Sequence, residues 1–64
     1  MKTSRYFVSC MLGRKLIRGI FFDSYEKAFD YARRNTEKEG LTSVIVYDDP
    51  ETETWVTKIK LSPN

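Results

Sequence analysis

Hydrophobic positions along this chain change their period twice. From Arg5 to Leu12 and from Leu16 to Phe22 they have strand character with both parities largely apolar, in stretches rich in aromatic and branched side chains, and Gly13 falls between them. That pattern predicts a β-hairpin. From Asp23 to Gly40 the period lengthens: Tyr25, Ala28, Phe29 and Ala32 follow the i, i+3, i+4, i+7 spacing of one buried helical face. Lys27, Asp30, Arg33, Arg34, Glu37 and Lys38 fall on the opposite, wet side. Asp23 or Ser24 can cap the helix start, with Glu26 completing a capping box if Asp23 is the cap. Gly40 can close the other end in the left-handed conformation. Alternation then returns over Thr42 to Tyr47 and Thr54 to Leu61, separated by an Asp48–Glu53 turn built on Asp49-Pro50.

The expected domain is therefore a ββαββ unit of the α+β class, spanning 1–64 as one body with its helix on one face of a four-stranded, mainly antiparallel sheet. Because the helix returns the chain, the third strand runs antiparallel to the first. Pairing those two predicts the order 2-1-3-4.

Patterning within the first hairpin is less ordinary. With Gly13-Arg14 as a two-residue II′ turn, Leu12 faces Lys15, Cys10 faces Ile17, Val8 faces Gly19 and Tyr6 faces Phe21. One face then carries Tyr6, Val8, Cys10, Ile17 and Phe21, and the other carries Phe7, Met11, Leu16, Ile20 and Phe22. Both are apolar, although an antiparallel hairpin normally turns one polar face to water. Arg18 argues for an outward face on its side, Gly19 would admit a helix on the other, and a bulge at Gly19 would reconcile Phe22 with the core. In the fourth strand Trp55, Thr57, Ile59 and Leu61 share one parity, and Val56, Lys58 and Lys60 the other. One helix covers one sheet face, so an apolar patch is left over. Such a patch points to a protein interface, and Tyr6, Val8, Cys10, Ile17 and Phe21, or the opposite set, are its expected residues.

Composition sharpens that expectation. A chain of 64 residues buries little surface, and its lone cysteine and lack of histidine remove the usual disulfide and metal staples. Self-association is the remaining one, so a homodimer is expected. The longest apolar run is Val44-Ile45-Val46-Tyr47, too short to span a membrane. The first twelve residues lack the shape of a signal peptide. A complete cytoplasmic product without a membrane role is the expectation.

Net charge is only +2, but it is unevenly spread. The first 22 residues hold Lys2, Arg5, Arg14, Lys15 and Arg18 and no acid, whereas Asp48, Asp49, Glu51 and Glu53 crowd the last turn. The chain reads as a dipole. Its basic hairpin supports a nucleic-acid alternative, with Arg5, Arg14, Lys15 and Arg18 on phosphates beside stacking aromatics. Arg18-Gly19-Ile20-Phe21-Phe22-Asp23-Ser24-Tyr25 partly imitates an RNA-recognition signature, but Ile20, Phe21 and Asp23 depart from it and the element order is wrong.

Chemistry-bearing motifs are missing. The three glycines form no phosphate loop, Ser9 and Cys10 have no histidine to activate them, and the acidic turn lacks calcium-loop spacing. No catalytic residue, cofactor or metal is expected. The run Phe22-Asp23-Ser24-Tyr25-Glu26-Lys27-Ala28 with Tyr31-Ala32 resembles short bacteriophage and prophage accessory proteins. That resemblance implies a small protein that acts by binding, in some cases as an inhibitor of a host protein, and it transfers no functional residue.

Overall fold

The computed structural model describes residues 5–63. Two hairpins flank one helix: β1 (Tyr6–Leu12), β2 (Lys15–Phe22), α1 (Tyr25–Glu39), β3 (Thr42–Asp49) and β4 (Thr54–Leu61). The strands form one antiparallel sheet in the order β2-β1-β3-β4, with α1 packed on one side. The α+β class and strand order are those read from the sequence.

Local chemistry explains each boundary. Gly13 has φ 64° while Arg14 stays at negative φ, as a II′ turn requires, and Leu12 pairs with Lys15. At the second turn Asp49 accepts from the Glu51 N–H at 2.9 Å through its side chain and from the Glu53 N–H at 2.8 Å through its carbonyl. The loop closes with Glu53 at φ 58°, a left-handed conformation that a side chain adopts at a cost.

The helix starts one residue later than a cap at Asp23 would place it. Ser24 has an extended backbone and its Oγ accepts from the Lys27 N–H at 3.4 Å, so Ser24 is the cap. The Asp23–Glu26 box is therefore not made, and Asp23 instead pairs with Lys27 at 3.6 Å. Gly40 closes the helix at φ 70°, and the next N–H, of Leu41, reaches back to the Asn35 carbonyl at 3.3 Å.

Ala28 and Ala32 press the helix onto Val8, Cys10 and Ile45, and Leu41 closes the cluster. The buried stripe then continues through Asn35 and Thr36, while Tyr25 sits at its margin. These polar residues are partnered. Thr36 Oγ1 donates to Ser43 Oγ and Ser43 Oγ to the Ala32 carbonyl, each at 3.0 Å. Tyr6, Phe22, Phe29 and Tyr31 ring this core without filling it, and its largest fully buried side chain is Ile45. The centre is thin.

Candidate functional site: the open face of the sheet

Two one-residue irregularities decide which side chains stay uncovered. In β2 the register shifts so that Cys10 pairs with Arg18 and Met11 with Leu16, leaving Ile17 as the extra residue. From there to Phe22 every side chain lies on the face opposite to the one a regular hairpin gives it. Arg18, Ile20 and Phe22 join Cys10, Val8 and Tyr6 on the helix side, and Phe21 and Gly19 join Phe7 and Ser9 on the open side. In β4, Ile45 pairs with Ile59 but Val46 with Thr57, leaving Lys58 extra. Ile59 and Leu61 thus pack under the helix, whereas Trp55 and Thr57 share the open face with Asp48 and Val46.

This corrects the hairpin pairing expected from a regular turn. Tyr6, Val8, Cys10, Ile17 and Phe21 do not form one surface: Val8 and Cys10 are buried under α1, Tyr6 packs at the core margin, and Ile17 and Phe21 are exposed. The bulge lies at Ile17, not Gly19. Nor does Gly19 admit the helix. It lies on the open side beneath the Phe7 ring, where an added Cβ would collide with Cζ. Trp55 and Thr57 likewise part from Ile59 and Leu61. Neither irregularity has a residue-type signature, although the adjacent apolar pair Leu16-Ile17 is consistent with a change of parity.

What the bulges deliver is an aromatic surface reaching across the sheet. Phe7 and Phe21 lie 4.7 Å apart, and Phe21 reaches Trp55, which comes from the opposite edge strand, at 6.2 Å. Phe21 is 57% and Trp55 49% exposed. With Val46 they line a shallow depression of about 280 Å³. Arg5 borders it, its guanidinium 5.9 Å above the Phe21 ring and 3.6 Å from Asp48. Farther along, Ser9, Met11, Leu16, Thr42 and Val44 continue the face with lower relief.

The expected basic cluster is dispersed. Arg5 stands beside the aromatic rings and Arg14 and Lys15 project from the β1–β2 turn. Arg18 turns to the helix side, where its guanidinium donates to both Glu39 carboxylate oxygens at 3.1 and 3.2 Å and to Asn35 at 3.0 Å. Glu39 holds it firmly protonated. It is a strap between β2 and α1, and it shares no face with Phe7 and Phe21.

Burial pushes the Cys10 thiol up, keeping it neutral. Among the described residues no group of histidine, cysteine or carboxylate side chains could hold a metal ion, and no helix is long and apolar enough to cross a membrane. The chain matches no family model, no curated protein and no solved structure.

Proposed function

We propose that this protein is a small non-enzymatic binding module that docks a protein on the open face of its sheet. The observation that supports the reading is the placement of Phe7, Phe21 and Trp55. Phe21 and Trp55 stand 57% and 49% exposed on the uncovered face beside Phe7, whereas the rings on the covered side, Tyr6, Phe22, Phe29 and Tyr31, pack against the core. Aromatic anchors inside a rim of polar groups, here Arg5, Asp48, Thr57 and Lys60, have the anatomy of a protein interface. Exposed rings of this size in a domain with so thin a core favour a covered state. The accessory role implied by the phage-protein resemblance is of the same kind.

Capture from native cells with the tagged chain tests it, comparing the wild type with Phe21→Arg/Trp55→Arg. The wild type should retain a protein through high-salt washes, because an apolar interface is not screened, and the variant should release it. Equal retention by both would contradict the reading.

Arg5 above Phe21 favours a second reading, in which single-stranded nucleic acid stacks on the same rings. It predicts an anisotropy change with labelled RNA or DNA at low salt. Binding should weaken steeply with salt, and Arg14→Gln/Lys15→Gln should flatten that slope by about one unit for each phosphate no longer neutralised. No signal at low salt ends it.

A further inference from the structure

Resting on the docking reading, we infer that the partner is a second copy of this chain, stacked sheet face to sheet face with its strands antiparallel to those of the first. Two independent features of the open face select this arrangement.

Charge is the first. Both hairpin turns lie at opposite ends of the sheet, since β1 and β4 end where β2 and β3 begin. Among the described residues the acids that make no ion pair are Glu26, Asp49, Glu51 and Glu53, at the β3–β4 turn and the adjoining helix start. Bases without an ion pair are Arg14, Lys15, Lys38 and Lys60 at the other end, with Lys58 between, over the Tyr47 ring. Two aligned sheets related by a two-fold axis have two ways to stack. An axis along the strands sets acidic end on acidic end. An axis across them sets each acidic end on the partner's basic end, with the acidic and basic turns offset sideways by about two strand spacings, roughly 10 Å, and like-charge juxtaposition disfavours the first.

Relief is the second. The rings Phe7, Phe21 and Trp55 crowd the acidic end, while the basic end carries the aliphatic Met11 and Leu16 with the smaller Thr42 and Val44. The crossed axis lays rings onto these aliphatic and small side chains, whereas the other lays ring on ring. Size also fits. Four strands about 4.8 Å apart and about eight residues long present roughly 500 Å² in projection. The relief of the rings brings this close to the ~800 Å² per partner of an ordinary interface.

The test is charge exchange between the turns, with mass followed by light scattering across a hundredfold dilution at low salt. Arg14→Glu/Lys15→Glu and Glu51→Lys/Glu53→Lys should each weaken the dimer about tenfold, since every reversed charge recurs at both ends. Combining all four should restore it to within about threefold of wild type, and high salt should erase the differences. Circular dichroism checks that each variant is folded. Half-reversed variants that dimerise like the wild type, or a combined variant that stays weak, overturn the antiparallel stack and leave the docking reading intact. A wild type that is monomeric throughout overturns the second copy as partner, and the docking reading then stands or falls on the capture experiment. A Phe21→Arg chain that dimerises unweakened shows that the dimer does not use the open face and overturns the stack, while the docking reading again rests on the capture experiment.

Discussion

The two faces of this sheet are built from the same strands and obey different rules. Under the helix, the fully buried side chains are small, larger rings close in from the margin, and the buried polar groups are partnered: Ala28 and Ala32 meet Val8, Cys10 and Ile45, and Ser43, Thr36 and the Ala32 carbonyl share hydrogen bonds. On the open side, Phe21 and Trp55 stand about half in water, Phe21 stacked between Phe7 and Trp55. The covered face carries the fold, and the open face is free to be specialised for contact. Among the described residues no second layer covers Phe21 and Trp55. Their exposure is the basis of the docking proposal.

Substitutions that separate the two faces follow, ordered by size. Ile45→Ala removes the largest fully buried side chain, and at about 2–5 kcal/mol for such a truncation the domain should unfold or nearly so in a urea titration. Ser43→Ala leaves the Thr36 hydroxyl without its 3.0 Å acceptor in a buried site, and should cost about 1–3 kcal/mol, read as a lower urea midpoint with an unchanged slope. Ser24→Ala removes the helix cap and should cost about 1 kcal/mol, whereas Asp23→Ala should change the melting temperature little. Glu53→Gly relieves the left-handed residue of the last turn and should stabilise by about 0.5 kcal/mol. Phe21→Ser should be nearly silent in the dilute monomer, because its ring is more exposed than buried, yet it should abolish concentration-dependent stability. If Phe21→Ser destabilised the monomer as much as Ile45→Ala, the distinction between the faces would collapse.

Much of the covered half is legible in the sequence. Helical spacing from Ala28 to Ala32, Gly40 as the closing residue, Gly13 as the hairpin turn and the strand order 2-1-3-4 all follow from local propensity and connection rules. Ser43, Asn35 and Thr36 are not legible as core, because their partners are tertiary and periodicity assigns polar residues to water. The open face is legible only as a surplus of apolar positions. Which residues compose it depends on the extra residues Ile17 and Lys58, each of which exchanges the faces of the strand beyond it. A one-residue slip carries no propensity signal and reassigns every ring. For that reason alternation alone groups Phe21 with buried Val8 and Cys10, and Trp55 with Ile59 and Leu61.

Trp55 is the only tryptophan and lies on the open face, 49% exposed, so its fluorescence reports directly whether that face is covered. Emission and acrylamide quenching should be followed from submicromolar to several hundred micromolar protein. Covering of the face predicts red-shifted, readily quenched emission in dilute solution that moves to the blue and becomes protected as concentration rises, with Phe21→Arg holding the dilute spectrum throughout. A wild-type spectrum and quenching constant that do not change with concentration, or with an added captured partner, would contradict it.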